Sequence, residues 1–142
     1  MIKVLSAGEV KDVLIAGNAF STFRDRQVSF VDLKDSPFVV RSVADGSVSY
    51  LEEVFERHGV SVHPRYHVDT ITHYIPMVRA GLCIAMLPES VFEKADGTEG
   101  LFKLQLSAPL PTRTVCIVTS KSKTLSAAGE ELIRCFRHQT GD

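Results

Sequence analysis

Leu82-Cys83-Ile84-Ala85-Met86-Leu87-Pro88 sets six apolar residues in a row and closes them with a proline. A run that short, with no polar alternation, reads as a strand buried on both faces, as parallel strands usually are. Pro88 has no N–H to continue a ladder and ends it. Just upstream, Ile75, Met77 and Val78 form one apolar face of a short helix that stops at Gly81. Its cap is Asp69 or Thr72. Pro76 falls in the first turn if Thr72 caps and kinks the helix if Asp69 does.

The same reading extends outward in both directions. Tyr66 to Val68 is an edge strand beyond Pro64. Leu51, Val54 and Phe55 recur at i, i+3 and i+4, a helix face, and Gly59 stops that helix. Ser47 or Ser49 caps it, with Glu52 three residues after Ser49 in the capping-box position. Phe38-Val39-Val40 and Val13-Leu14-Ile15-Ala16 are two more core strands, the latter ended by Gly17-Asn18. Val28 and Phe30 form a short extended piece before a turn at Asp32-Leu33-Lys34. Downstream, Leu101, Leu104 and Leu106 suggest one strand and residues 112–119 another. Ala128, Leu132, Ile133, Cys135 and Phe136 mark an amphipathic C-terminal helix within residues 124–142. The order is strand, strand, helix, strand, helix, strand, strand, strand, helix. It predicts an α/β fold, a mixed and mostly parallel sheet with flanking helices. In such sheets ligands bind beyond the carboxyl ends of the strands, near helix starts.

Bulk properties narrow the function. The 142 residues read as one unit, 1–142, long enough to bury about 70% of the surface of the unfolded chain. Lys and Arg number 16 against 17 Asp and Glu, a net charge of -1. That balance is poor for a DNA-binding surface, which needs excess positive charge. No apolar run approaches the roughly 20 residues of a membrane span, and residues 1–10 are too mixed for a signal peptide. The three cysteines are odd in number and widely spaced. Cys83 and Cys116, each within an apolar run, read as buried thiols in a reducing, cytoplasmic setting.

Several chemistries are disfavoured by spacing. His63 and His67 on a strand share a face but stand about 13 Å apart, too far for one zinc. Cys83 lies mid-strand, away from the helix starts and electropositive edges that activate thiolates. Glu52 and Glu53 point in different directions. No convergent pair of titratable groups nominates an enzyme, and no cofactor or metal is expected.

The segment Asp32-Leu33-Lys34-Asp35-Ser36-Pro37-Phe38-Val39-Val40 resembles the "dL…pfi" stretch of LysR-type transcriptional regulators. Val78-Arg79-Ala80-Gly81-Leu82-Cys83-Ile84-Ala85-Met86-Leu87-Pro88 resembles their "V-x-x-G-x-G-I-x-x-L-P" signature, with Cys83 in place of the second glycine. Residues 51–59 are similar to the family's "l…f…g" helix. Residues 113–118 and Ser126-Ala127-Ala128 are similar to its closing strand and final helix. Pro76 departs from the pattern. The resemblance covers residues 13–138. It implies a type 2 periplasmic-binding-protein-like effector-binding domain, of which this chain holds mainly the second of two subdomains joined by crossover strands. No helix-turn-helix precedes Met1 in the sequence read, so DNA binding is expected only through a domain this chain lacks.

The resemblance also implies a small, often anionic effector between the two subdomains and side-by-side pairing into a homodimer. On this chain the matching wall is Asp45, Gly46, Ser47, Val48 and Ser49. Backbone N–H groups at a helix start attract anions there, and Gly46 permits close approach. Asp45 argues the other way. A second wall is Thr70, Ile71 and Thr72, and Leu87 and Pro88 add an apolar contact. Loops of this kind also serve as plain helix caps. The competing reading is a ligand-free protein-interaction or oligomerisation module.

Overall fold

The computed structural model describes residues 1–43 and 48–140. Asp45, Gly46 and Ser47 of the expected effector wall lie outside the described residues. The 1–142 span read as one unit divides by its internal contacts into two compact units. One comprises Lys11–Pro111, the other Met1–Val10 with Thr112–Asp142.

The Lys11–Pro111 unit is built on a five-stranded sheet. Its strands are β2 (Asp12–Ala16), β4 (Phe38–Arg41), β5 (Tyr66–Val68), β6 (Ile84–Pro88) and β7 (Phe102–Lys103), in the order β5-β4-β6-β2-β7. β4 runs parallel to both β5 and β6, whereas β2 runs antiparallel to β6 and β7. The mixed sheet is therefore parallel on one side and antiparallel on the other. A parallel pair, β3 (Gln27–Val28) with β8 (Gln105–Leu106), lies apart from it. The helices are α1 (Tyr50–Arg57), α2 (Tyr74–Arg79) and α3 (Glu89–Lys94).

Alternation along the strands sorts the core into two clusters. Leu14, Ala16, Phe38, Val40 and Ile84 point to one face, where α1 buries Leu51, Val54 and Phe55. Ile15, Val39, Ala85 and Leu87 point to the other, where α2 buries Tyr74 and Val78. The strand period of two and the helix period of 3.6 thus produce a helix–sheet–helix layering. Phe55 meets Phe30 and Phe38 edge-on at centroid distances of 5.0 and 5.2 Å, a preferred aromatic geometry. Gly59 and Gly81, with φ of 72° and 78°, take the left-handed conformation that ends α1 and α2.

The second unit is smaller. β1 (Ile2–Val10) pairs antiparallel with β9 (Arg113–Ser120), with a register shift between Ser6 and Gly8. α4 (Ala127–Thr140) contacts β1.

Several expectations need correction. Cys116 is exposed, not buried, because β9 belongs to a two-stranded ribbon with an open face. Leu101 to Leu106 is not one strand: Leu104 turns inward and the chain passes from β7 beside β2 to β8 beside β3. Neither Asp69 nor Thr72 caps α2. Thr70 caps a 3-10 turn over Ile71–His73, and Pro76 falls in the first turn of the helix that follows. The C-terminal helix begins at Ala127 and leaves Leu132 and Phe136 59% and 39% exposed. β1 and α3 were not foreseen.

Candidate functional site

The parallel strands finish level with one another. Arg41 pairs with Val68, so β4 and β5 end together, and the Ser42 N–H donates to the Val68 carbonyl at 2.8 Å. β6 lies parallel on the other side of β4 and ends at Pro88. β2, running the opposite way, begins at this same edge: Asp12 pairs with Pro88, and the Glu89 N–H donates to the Lys11 carbonyl. One rim of the sheet therefore gathers Lys11, Asp12, Arg41, Ser42, Val68 and Pro88. Chains leaving β4 and β5 enter the starts of α1 and α2, the arrangement in which α/β sheets receive ligands.

The start of α1 carries a capping box. The Ser49 hydroxyl accepts the Glu52 N–H at 3.3 Å and donates to the Glu52 carboxylate at 2.6 Å, which also accepts the Ser49 N–H at 2.9 Å. This is the reciprocal box expected from Ser49 and Glu52, and it resolves the choice of cap in favour of Ser49. Ser49 is 7% exposed, so its hydroxyl shapes the helix start, whereas the neighbouring Val48 side chain is exposed.

At the second helix start, the Thr70 hydroxyl oxygen accepts the Thr72 N–H at 3.4 Å and lies 3.3 Å from the Thr72 hydroxyl. Ile71 and Thr72 are exposed, and with Ile75, Pro76, Arg79 and Val91 they border a depression of about 370 Å³ against α3. Leu87 points into the core with 2% exposure, and Pro88 is half-buried at the strand tip.

Several groups in and around this rim escaped the sequence reading. Arg41 is the exposed last residue of β4. Behind it, burial pushes the Tyr74 hydroxyl above its ordinary pKa, opposed by a hydrogen bond from the Arg41 backbone and by the Arg41 charge. Asp12 is 4% exposed. Beside it a depression of about 350 Å³ is bordered by Lys11, Asp12, Glu89, Lys103, Leu104 and Leu110. Lys103 Nζ lies 2.9 Å and Lys11 Nζ 3.5 Å from the Glu89 carboxylate. The Lys103 hydrogen bond chiefly holds that carboxyl below its ordinary range. The signal for Arg41 is a lone cation closing an otherwise apolar strand. Among the described residues no group of three or more His, Cys, Asp and Glu could hold a metal ion. No helix among them is long and apolar enough to cross a membrane.

A layered sheet with its parallel strand tips and helix starts on one rim defines an α/β domain of the helix–sheet–helix kind. The particular family is fixed by sequence. The family described as LysR substrate binding domain matches residues 4–141, and the chain belongs to it. The HTH-type transcriptional regulator YfeR of Shigella flexneri is 26% identical over 107 residues, 75% of this chain and 34% of its own length. The chain thus spans about a third of that relative. Among solved structures, the CcmR regulatory domain of Synechocystis PCC6803 in complex with 2-PG is similar with a TM-score of 0.83 and 17% identity, over 98% of this chain and 67% of that one. The effector binding domain of QuiR in complex with shikimate has a TM-score of 0.77 and 16% identity, over 99% of this chain and 65% of its own. The fold is the periplasmic-binding-protein-like fold of LysR effector-binding domains, a family of transcriptional regulators.

Proposed function

We propose that this chain is the ligand-sensing part of a LysR-type regulator and not an enzyme. A small anionic effector sits at the rim where β4, β5 and β6 end. The observation that carries this reading is the level finish of β4 and β5 at Arg41 and Val68, directly before the capped starts that follow. The proposed wall comprises Asp45, Gly46, Ser47, Val48 and Ser49 after β4, Thr70, Ile71 and Thr72 after β5, and Leu87 and Pro88 at the tip of β6. Within it Ser49 and Leu87 position the backbone, while Val48, Ile71, Thr72 and Pro88 offer surface. Arg41, exposed at the end of β4, supplies a positive charge at the rim. The effector biases the placement of two subdomains, and in a full-length, homodimeric, cytoplasmic regulator this shifts the DNA-binding domains between states of different operator affinity. Small-molecule complexes of the CcmR and QuiR domains support the ligand-sensing part of this reading.

One subdomain offers half a cleft, so binding to this chain alone is weak. NMR titration with a panel of small acids, starting from shikimate and 2-PG, is the test. At least one acid shifts the backbone signals of Val48–Tyr50 and Thr70–Thr72 with millimolar affinity, and Arg41→Gln weakens it about tenfold, the loss of one charged hydrogen bond. If no acid moves those signals, or Arg41→Gln binds as well as the parent, the reading fails. The exposure of Val48 and Ile71, 50% and 37%, favours the second reading, a ligand-free interaction module. A titration blank at the rim with concentration-dependent shifts of those two side chains selects it.

A further inference from the structure

The groove of about 370 Å³ between α2 and α3 lies wholly within the Lys11–Pro111 unit. Helical spacing builds both its walls. Ile75 and Arg79 stand four apart on α2, and Val91 and Ala95 stand four apart along α3 and its cap, so each element turns one line of side chains toward the groove. With Ile71 and Pro76 these make a mostly hydrocarbon lining. The volume lies at the low end for ligand pockets, roughly 300 to 1,000 Å³.

Two opposite charges interrupt that lining, Arg79 and Asp96. The Arg79 guanidinium donates to the Gly97 carbonyl at 3.1 Å, one residue beyond Asp96. Gly97 has a φ of 71°, and a Cβ there would collide with the guanidinium, so glycine is what admits the arginine to this position. Among the described residues no ion pair joins Arg79 to Asp96 or either of them to another group, and Arg79 gives Gly97 one of its five N–H donors. A cation and an anion thus stand at neighbouring places beside apolar surface without neutralising each other.

We propose that this groove binds an α-amino acid with an apolar side chain, its carboxylate on Arg79, its ammonium on Asp96 and its hydrocarbon against Ile71, Ile75 and Val91. Charge-assisted hydrogen bonds suit both ends of such a zwitterion. A plain carboxylic acid meets Asp96 with like charge, and a plain amine meets Arg79 with like charge. Glycine carries both charges but has no side chain to bury. The groove shares Ile71 and Thr72 with the proposed rim and makes no use of Arg41, so the proposal does not rest on the rim reading.

Methyl and amide NMR titration of the 142-residue chain with L-leucine tests the assignment. Leucine gives saturable shifts at Ile75, Val91 and the Arg79 Nε–H. Isocaproate, isoamylamine and glycine each lack one of the three features and bind at least about fivefold more weakly. Arg79→Gln and Asp96→Asn each weaken leucine binding by a similar factor. Asp96→Asn also narrows the gap between leucine and isocaproate, and Arg79→Gln the gap between leucine and isoamylamine. Unchanged amide signals along α2 and α3 verify that both variants are folded. Arg41→Gln leaves leucine affinity at the parental value. The proposal is overturned by the absence of saturable shifts at Ile75 and Val91, by a truncated analogue that binds as well as leucine, or by folded charge variants with parental affinity. Loss of leucine binding in Arg41→Gln also overturns it, because that assigns the ligand to the rim.

Discussion

Cys83 occupies the place where the resembled signature carries its second glycine, and its side chain has 0% exposure. It packs with Ile15, Val39, Tyr74, Val78, Ala85 and Leu87, so the extra side chain is absorbed into the α2 face of the core. Burial pushes its thiol up to about 11. A thiol raised in the folded chain contributes stability that is fully present below the ordinary thiol pKa and is lost as pH rises toward 11. Thermal denaturation across pH 8 to 11 therefore shows falling stability for the parent and a smaller fall for Cys83→Ala. Brief iodoacetamide treatment at pH 8, read by mass spectrometry, labels the exposed Cys116 and Cys135 and spares Cys83. Cys83→Gly restores the signature residue but leaves a cavity and a freer backbone. Chemical denaturation should show a loss of about 1–3 kcal/mol. The same scale explains part of what was readable. Ser49 and Glu52 announced their cap by a spacing of three, whereas the lone cation Arg41 closes an apolar strand but its place beside Val68 at the rim is set by the pairing of β4 with β5, which no local pattern encodes.

Among the elements, α1 rests on two supports, its capping box and the burial of Phe55 against Phe30 and Phe38. Ser49→Ala removes the acceptor for the Glu52 N–H and costs about 1 kcal/mol, within the range for N-cap losses. Phe55→Ala removes the ring from the α1 face of the core and costs about 3–5 kcal/mol. Urea melts of the two variants should differ accordingly, and equal losses would contradict this division. Elements with dense, uniform apolar runs were legible: β2, β4 and β6 each stood out. β1 was not, because Ile2 and Val4 alternate for only one period before Gly8 and the register shift break the pattern. α3 was missed because it is six residues long and offers only Val91 and Phe92 as apolar anchors. The stretch at Leu101 to Leu106 misled because it holds two short strands of different sheets, β7 and β8, with Leu104 between them.

For the whole molecule, the two compact units differ in how their backbone is covered. β4 and β6 in the five-stranded sheet are paired on both sides and packed between α1 and α2. β1 and β9 form a ribbon of two strands that leaves Ile2, Val4 and Val118 60%, 54% and 56% exposed. Two-stranded ribbons are marginal on their own. Hydrogen exchange followed by mass spectrometry should find the amides of Val39, Ile84 and Ala85 the slowest and those of β1 and β9 faster by orders of magnitude. Comparable protection in both would show that the ribbon opens only with global unfolding.

The place of β2 inside its sheet bears on how the chain emerges from the ribosome. Val13 is made long before its partner Leu87, and Ile15 waits longer still for Lys103. Ile2 waits for Ser120. Until those late segments arrive, the nascent chain holds Leu14, Ile15 and Ala16 with no strand to receive them. Such long-range closure is slow and leaves sticky intermediates. A ribosome stalled before Lys103 would present a ready substrate for chaperones.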